Sequence, residues 1–364
     1  MTIQEICSRF DIEGKYVECI ELTTGNINST YRIKYIRDGQ EKNYILQKIN
    51  KAVFVEPERV MDNIVRVTDY VREKIKQKGL STKKFVLRAF TCKDDKRPFV
   101  IDSEGEYWRC YRFIANSETY DSSDNLLVIE RVGQAFGRFQ NCIDGFDAQS
   151  LYLTIPNFHN TILRYQAFEK AIEEDAFNRV RLVKEEIQAL LDMKEQACIL
   201  QNELDAGDIP FRVTHNDTKC NNVSFDKTSH EALAVLDLDT VMPGAIAYDF
   251  GDAIRFIANT LIEDNPDVEN VKLDLNKYEA FTKGFITEVK DKLTKEEKNT
   301  LNLGAFAMTV ELAVRFLTDY ISGDRYFKTR YPGHNVDRTR NQIALAKDIL
   351  VKKEQMEQII KKYF

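Results

Sequence analysis

The sequence lacks the usual features of a membrane protein, a nucleic-acid-binding protein or a secreted protein. Its formal net charge is −6, and no block of basic residues alternates with aromatic residues, which argues against a nucleic-acid partner. No uninterrupted apolar run approaches the roughly 18 residues that span a bilayer. The N-terminal segment has neither a basic start nor an apolar stretch, so we predict no secretory signal and no membrane partner.

The spacing of the cysteines is not that of a disulfide or zinc framework. The chain has seven cysteines, an odd number, and none of them forms a C-x-x-C pair. Reduced thiols explain this pattern more simply than disulfides or zinc do, so we expect a cytoplasmic protein. Cys220 lies within the polar segment described below, but no activating base is near it in sequence, and we expect it to pack rather than react.

The apolar content is sufficient for more than one folded core. Hydrophobic residues make up 43% and aromatic residues 11% of the 364 residues, which supplies the surface that packed cores bury. A chain of this length exceeds one compact core of typical size, so we predict two domains or lobes. The sequence gives no indication of an oligomeric state.

One segment, 213–226, concentrates groups that bind phosphate, metal ions or protons. It reads V-T-H-N-D-T-K-C-N-N-V-S-F-D. Its polar side chains follow the spacing H-x-D-x-K-x-x-N, namely His215, Asp217, Lys219 and Asn222. Asp237 comes later, at the end of the apolar run 232–236. The alternative without a catalytic role is a polar β-turn between two strands, since Asn and Asp tolerate turn conformations.

This spacing suits phosphoryl transfer from a nucleotide. That reaction needs a carboxylate that orients and deprotonates the attacking hydroxyl, together with magnesium ligands, and protein kinases place an Asp, an Asn five residues later and a strand-end Asp in this order. We therefore predict Asp217 as the base and Asn222 with Asp237 as ligands of Mg²⁺, which prefers hard oxygen donors. Lys219 would neutralise charge that develops on the transferred group. His215 would brace the loop backbone.

A second candidate segment lies near the N-terminus, where two predicted strands flank T-T-G-N-I-N-S. Backbone N–H groups and small hydroxyls of such a loop can surround phosphate oxygens. The loop has a single glycine, unlike the G-x-G-x-x-G of protein kinases, and an ordinary hairpin is the alternative. The predicted nucleotide-binding residues here are Gly25, Asn28, Ser29 and Thr30. Lys48 on the third strand is the candidate for the lysine that contacts the α- and β-phosphates, with a solvated strand-end lysine as the alternative.

These motifs resemble those of the aminoglycoside phosphotransferase and choline kinase superfamily, in which H-N-D-T-K-C-N-N is followed by L-D-L-D-T-V-M-P-G and Y-D-F-G-D. Within it, the chain is most similar to the N-acetylhexosamine 1-kinases, which phosphorylate the anomeric hydroxyl of N-acetylglucosamine and N-acetylgalactosamine. The similarity extends to four further stretches, at 25–31, 44–50, 311–320 and 334–342, and so covers most of the chain.

The resemblance implies an α+β, protein-kinase-like fold of two lobes. The expected division is a β-rich N-lobe over 1–112, a hinge over 113–117 and a mainly helical C-lobe over 118–364, with ATP in the crevice between the lobes. Adenine contacts are then expected from the hinge, by position only, at Arg112 and Ile114.

The resemblance also implies sugar contacts from Asn26, Phe256 and Arg315. For Arg315, the alternative is an ion pair with an acidic residue one turn away, Glu311 or Asp319. Asp249 is expected to hold the catalytic loop, and His159 is expected to be a loop contact.

The reaction predicted is direct transfer of the γ-phosphoryl group of ATP to O1 of an N-acetylhexosamine. A kinase for another small alcohol would share every core residue. Asp237 and Asp239 form a D-x-D, which metal-dependent glycosyltransferases also use, but a glycosyltransferase would not explain Asp217, Lys219 and Asn222. We assign Asp239 to substrate binding, through a sugar hydroxyl or a second metal ion. A non-catalytic nucleotide-binding protein is disfavoured because the whole base-and-metal set is present.

Hydrophobic periodicity and capping residues predict the main elements. Helices are expected at 3–10, 58–77, 124–141, 161–175, 178–204, from 253, at 296–322 and at the C-terminus. Strands are expected at 17–22, 31–35, 44–49, 84–89, 99–102, 107–113, 211–213 and 222–225.

Overall fold

The structure, a computed structural model, describes residues 1–23 and 27–364. The chain forms two compact units. The first unit consists of Met1–Thr119, Ser150–Pro156 and Val223–Met242, and the second of Tyr120–Gln149, Asn157–Asn222 and Pro243–Phe364. The predicted ends of the N-lobe at 112 and of the hinge at 117 stay predictions.

The described residues form the following helices and strands. The helices are α1 Ile3–Arg9, α2 Pro57–Gln77, α3 Leu126–Ile143, α4 Thr161–Glu174, α5 Lys184–Ala206, α6 Ile246–Ile257, α7 Leu275–Val289, α8 Lys295–Ile321, α9 His334–Val351 and α10 Lys353–Tyr363. The strands are β1 Lys15–Leu22, β2 Ser29–Arg37, β3 Gln40–Lys48, β4 Val100–Ile101, β5 Tyr107–Arg112, β6 Ser117–Glu118, β7 Arg212–Thr214, β8 Val223–Asp226, β9 Ala232–Val235 and β10 Met242–Gly244.

The first unit is built on an antiparallel sheet in the order β1-β2-β3-β5-β4. Side chains alternate between the two faces of a strand, so the register of β3 with β5 decides what each face carries. Leu46 opposes Cys110 on the face that packs into a buried core with Ile6 of α1 and with Phe10, which follows α1. Gln47 opposes Arg109 on the other face. By the same alternation, Lys48 shares the face of Leu46.

A smaller antiparallel sheet in the same unit has the order β6-β8-β9. Val223 pairs with Val235, and Phe225 with Ala232. All four residues of β8 and all four of β9 are buried. This hairpin leads directly into the turn that carries Asp237.

The second unit is helical, and close approach of its helices depends on glycine. A Cβ atom at Gly304 of α8 would lie 2.0 Å from the carbonyl oxygen of Ala247 in α6, and one at Gly251 of α6 would lie 2.2 Å from the carbonyl oxygen of Gly304. Only hydrogen fits at such distances, so the backbones of α6 and α8 touch. α6 contains the Y-D-F-G-D motif at 248–252, which is thereby fixed against the core.

Helix α8 is, within the described residues, the one helix long and apolar enough by composition to cross a membrane. However, 83% of its most apolar window is buried inside the protein. Its N-terminus has the predicted capping box, in which Thr294 accepts from the N–H of Glu297 and Glu297 accepts from that of Thr294. These features are those of a core helix.

The predicted fold class is confirmed: the N-terminal region is rich in sheet and the C-terminal region is helical. Several details were wrong. The helix expected from 253 begins earlier, at Ile246 of α6, and helix α7, Leu275–Val289, was not predicted. The predicted strand over 84–89 contributes only an isolated bridge, Ala89 to Tyr111, because its backbone turns at 82–84 and lies beside β5 only at 88–90. The C-terminal helix is two helices, since α9 ends at Val351 and α10 begins at Lys353.

Candidate active site

Three predicted residues meet on the loop that follows β7. The Lys219 ammonium lies 2.6 Å from one carboxylate oxygen of Asp217, and the side chains of the two residues are 35% and 27% exposed. The Asn222 amide nitrogen donates to the other carboxylate oxygen at 3.0 Å and to the carbonyl oxygen of Asp217 at 2.8 Å. Asp217 is therefore held on both sides while part of its carboxylate stays accessible.

Positive charge is retained on Lys219. Burial by itself lowers the pKa of Lys219, but the carboxylates of Asp217 and Asp252 outweigh burial and raise that pKa above its ordinary value. The loop therefore places a stable cation beside the predicted base, as a site for anionic phosphoryl groups requires.

Two carboxylates of α6 fix the backbone of this loop. Asp249 is fully buried and accepts the N–H groups of His215 at 2.9 Å and Asn216 at 2.8 Å. Asp252 accepts the N–H of Thr218 at 2.8 Å. The expected role of Asp249 in holding the loop is confirmed, and Asp252 does the same one turn later.

The ring of His215 takes up the remaining N–H in this run. Its Nδ1 accepts from the N–H of Asp217 at 3.2 Å, and the ring packs edge-on against Phe136. The predicted bracing role is confirmed. Cys220 is buried, and burial raises the pKa of its thiol to about 12, so it stays protonated and packs, as expected. All seven cysteines are free.

Asp237 belongs to the first unit, where it follows β9. It is exposed and has a left-handed backbone, with a φ of 53°, which Asp adopts at lower cost than most residues. Among the described residues, no group of three or more His, Cys, Asp or Glu side chains is arranged to hold a metal ion. A magnesium site of one carboxylate, one amide oxygen and phosphate oxygens does not need such a group. Asn222 and Asp237 stay predicted metal ligands.

The second Asp of the D-x-D, Asp239, is engaged in a buried ion pair. Both of its carboxylate oxygens accept from the guanidinium of Arg109, one of them at 2.9 Å, and the two side chains are only 4% and 1% exposed. Burial by itself lowers the pKa of Arg109, but Asp239 outweighs it and raises that pKa. Asp239 as a substrate ligand stays a prediction.

The same network reaches the predicted phosphate loop. Asn28 donates to Asp239 at 2.7 Å and accepts from the N–H of Asn50 at 3.0 Å. Gln47 accepts from Nε of Arg109 at 3.0 Å and donates to the hydroxyl of Thr30 at 3.1 Å. Arg109 therefore ties the end of this loop to the turn after β9.

The remaining predicted nucleotide residues are placed as follows. Ser29 begins β2 and pairs with Lys48, which ends β3. Arg112 ends β5 and is half-buried, whereas Ile114 is buried against Leu233 and Ala234. Gly25 and the predicted sugar contact Asn26 lie outside the described residues. These roles stay predictions.

Arg315 is held by aromatic rings. Its guanidinium carbon lies 5.3 Å from the ring centre of Phe158, 5.6 Å from that of Phe327 and 5.9 Å from that of Tyr326. The acidic residues considered as its partners bond elsewhere: Glu311 accepts from Thr161, and Asp319 accepts three backbone N–H groups of 325–327.

The second predicted sugar contact, Phe256, is the one residue of α6 that is not buried. An aromatic ring that stays half-exposed on an otherwise buried helix is available to a ligand. The sugar role of Phe256, like that of Arg315, stays a prediction.

Sequence reasoning missed Arg109 as a structural centre and the partners of His159. Arg109 and Asp239 are 130 residues apart, and His159 and Glu311 are 152 apart. The one available signal for Arg109 was its own position, a basic residue between Trp108 and Cys110 on a predicted apolar strand, which must find a buried partner.

Comparison with solved structures agrees with this architecture. An aminoglycoside phosphotransferase from Alicyclobacillus acidocaldarius aligns with a TM-score of 0.65 and 13% identity, over 100% of this chain and 97% of that chain. A spectinomycin phosphotransferase solved with ADP and spectinomycin gives 0.55 and 13%, over 94% of each chain. Choline kinase from Cryptosporidium parvum gives 0.53 and 11%, over 96% of this chain and 93% of that chain. At these identities the similarity shows the fold.

A comparison of the sequence with models of known protein families gives a match. The family described as "Phosphotransferase enzyme family", APH, matches residues 18–271, which is more than half of the chain and contains the loop of Asp217 and the turn of Asp237. The resemblance to the aminoglycoside phosphotransferase and choline kinase superfamily is thereby confirmed, and the chain belongs to the phosphotransferase enzyme family.

Proposed function

We propose that this protein is an ATP- and magnesium-dependent kinase that phosphorylates the anomeric O1 of an N-acetylhexosamine and releases a sugar 1-phosphate. One observation carries the proposal: the carboxylate of Asp217 lies between the ammonium of Lys219 and the amide of Asn222, on a loop fixed by two buried carboxylates. Membership of a phosphotransferase family supports the reaction type. The spectinomycin phosphotransferase with similar fold was solved with ADP, which supports ATP as the phosphate donor.

The chain's own residues supply a base and its positioning. In the proposed step, the substrate hydroxyl oxygen bonds to the γ-phosphorus, the bond from the γ-phosphorus to the bridging oxygen breaks, ADP leaves, and the hydroxyl proton passes to Asp217. Each carboxylate oxygen has more than one acceptor site, so the contacts to Lys219 and Asn222 leave room for the hydroxyl. General-base catalysis of this kind contributes about 10²–10⁴-fold to a rate.

The predicted magnesium ligands have the right chemistry. Both partners of the Asn222 amide nitrogen are acceptors, so the nitrogen must face Asp217 and the amide oxygen points away from it. Asp237 adds an exposed carboxylate. An amide oxygen and a carboxylate are donors that Mg²⁺ accepts, and the ion would neutralise phosphate charge when bound.

The acceptor is the finer part of the proposal. The resemblance to N-acetylhexosamine 1-kinases supports it, as do Arg315, which three aromatic rings orient, and the half-exposed Phe256. A glycosyltransferase built on the D-x-D is disfavoured, because it would not explain why Lys219 and Asn222 hold the carboxylate of Asp217. A kinase for another small alcohol is the second candidate, since structural neighbours include a spectinomycin phosphotransferase and a choline kinase.

Phosphorus NMR of products tests the proposal directly. The protein is incubated with ATP, Mg²⁺ and, separately, N-acetylglucosamine, N-acetylgalactosamine, other hexoses, choline and an aminoglycoside. We expect ADP and an anomeric phosphomonoester from the N-acetylhexosamines, and no product from their 1-O-methyl glycosides, which lack the free hydroxyl. A phosphorylated amino alcohol or aminoglycoside in place of the sugar phosphate would reject the acceptor. No transfer from ATP to any alcohol would reject the kinase.

A further inference from the structure

His159 bridges the catalytic loop and helix α8. Its Nε2 lies 3.1 Å from the backbone carbonyl oxygen of Asn216, the residue before the proposed base, and its Nδ1 lies 2.9 Å from a carboxylate oxygen of Glu311. The side chains of His159 and Glu311 are 9% and 2% exposed. The ring also packs against Phe158 and Tyr248.

Both partners of this ring are hydrogen-bond acceptors. A carbonyl oxygen has no proton to give, and an ionised carboxylate has none either, so each ring nitrogen must carry a hydrogen to make its bond. A neutral imidazole carries one hydrogen and would leave a lone pair directed at one of the two oxygens. The geometry therefore requires an imidazolium, unless Glu311 is protonated.

The surroundings of Glu311 favour its ionised form. Burial by itself raises the pKa of Glu311, but the positive charges of His159, Arg315 and Arg164 outweigh burial and hold that pKa below its ordinary value. Thr161 also donates its hydroxyl to the second carboxylate oxygen at 2.9 Å. Arg315 and Arg164 carry their charge whatever the state of the ring, so with the Thr161 hydroxyl they favour an ionised Glu311 and a proton on the ring.

Two other histidines provide an internal contrast. Nδ1 of His215 accepts the N–H of Asp217, and Nδ1 of His334 accepts the N–H of Arg330, each at 3.2 Å. A nitrogen that accepts cannot carry a hydrogen, so in this arrangement Nδ1 of each ring is the nitrogen without a hydrogen. In contrast, both ring nitrogens of His159 lie within hydrogen-bond distance of an acceptor.

We propose that His159 is a positioning residue that acts as an imidazolium clamp, joining Glu311 to the peptide between Asn216 and Asp217 and so orienting the proposed base. This inference rests on the proposed function for its effect on turnover. Charged and titratable groups near the ring include Glu311 on α8 and Tyr248 and Asp252 on α6, and the charges of Arg315 on α8 and Arg164 on α4 act on Glu311.

Loss of the proton weakens the clamp in a defined way. The bond to the Glu311 carboxylate is charge-assisted, so the one hydrogen of a neutral ring stays on Nδ1. Nε2 then presents a lone pair to the carbonyl oxygen of Asn216, and the loop loses that bond. A hydrogen bond from a charged group contributes about 1.5–3 kcal/mol, so we expect kcat to fall about tenfold or more as pH rises and the ring loses its proton.

The first test needs no activity. Protein labelled with ¹⁵N in its histidine rings is examined by NMR at pH 7, and the His159 signals are assigned by their loss in H159Q. We expect both nitrogens of His159 to be protonated, and His215 and His334 to show one protonated nitrogen each. A neutral His159 would overturn the proposal, whatever reaction the protein catalyses.

The second test uses Glu311→Gln. A glutamine amide can donate to an unprotonated Nδ1 and still accept from Thr161, so a neutral ring keeps its Nε2–H for Asn216. We expect E311Q to lose the alkaline fall in kcat that the wild type shows, and H159Q to lower kcat about tenfold with little change in the acceptor KM. Circular dichroism confirms that both variants are folded. An E311Q profile with the wild-type alkaline fall would overturn the clamp.

Discussion

Replacing Arg109 by methionine tests whether the buried Arg109–Asp239 pair holds the first unit together. The substitution leaves the carboxylate of Asp239 buried, with Asn28 as a donor but without its cation. Removing one partner of a buried ion pair costs about 3–5 kcal/mol, because the other charge stays uncompensated. Gln47 also loses the Nε–H of Arg109. We therefore expect a large loss of unfolding free energy in this unit.

The only tryptophan of the chain allows the stability of the first unit to be measured. Trp108 lies beside Arg109 on β5 and is buried, with its indole nitrogen donating to Asp102 at 2.8 Å. Its fluorescence in urea therefore reports on the first unit. With a typical denaturant slope of about 2 kcal/mol per molar urea, the expected loss moves the midpoint down by about 1.5–2.5 M.

Two variants control this experiment. Arg88→Met removes an exposed arginine of the same unit and should change stability by no more than about 0.5 kcal/mol. The double variant R109M/D239L removes both charges and should be more stable than R109M, since a buried pair replaced by apolar groups is often neutral. A midpoint for R109M close to that of R88M would refute the reasoning, as would a double variant that is less stable than R109M.

Three further predictions follow from individual contacts. Backbone N–H groups of Thr228 and Ser229 hold the pKa of Asp226 at about 2, so the stabilising contribution of Asp226 is present above about pH 4 and is lost as pH falls toward 2. Between pH 4 and pH 2, D226N should therefore lose less stability than the wild type, as measured by Trp108 fluorescence. An equal loss in both proteins would contradict this. Gly304→Ala should destabilise the helical unit by about 1–3 kcal/mol, although Ala has the better helix propensity, because the added Cβ would clash with α6. A melting temperature by circular dichroism that is equal to or above that of the wild type would contradict this. Asp237→Ala should reduce ATP affinity in Mg²⁺ to the level without Mg²⁺ by calorimetry, and an unchanged magnesium dependence would remove Asp237 from the metal site.

Local patterns in the sequence predicted most of the secondary structure and the core of the site. Asp217, Lys219 and Asn222 lie within six residues, so one loop conformation brings them together. The H-x-D-x-K-x-x-N spacing is therefore enough to predict that they lie close together. Helix α8 was predicted with its capping box, because capping and apolar periodicity are both local. The predicted strand over 84–89 was wrong because its apolar residues suit a strand, but the chain turns at 82–84 and reaches β5 only at 88–90.

The contacts that hold the site could not be predicted in this way. The partner of His159 is on α8, and the partner of Arg109 is in the turn after β9, each more than 100 residues away. A charged residue within an apolar segment indicates that it has a buried partner, but only the fold shows which residue that partner is. Arg315 shows the same limit. An ion pair with Glu311 or Asp319 was the alternative considered for it, and the aromatic rings around its guanidinium come from two other segments of the chain.

Turnover by Asp217→Asn tests the central claim, that Asp217 is the base of a phosphoryl transfer, most directly. Asparagine keeps the shape of the side chain but cannot accept the proton, so we expect kcat to fall about 10²–10⁴-fold, with ATP binding retained. Asp208→Asn, an exposed change in the same unit, should turn over like the wild type. A D217N enzyme whose kcat stays within about threefold of the wild type would contradict the account, because that is far less than a general base contributes.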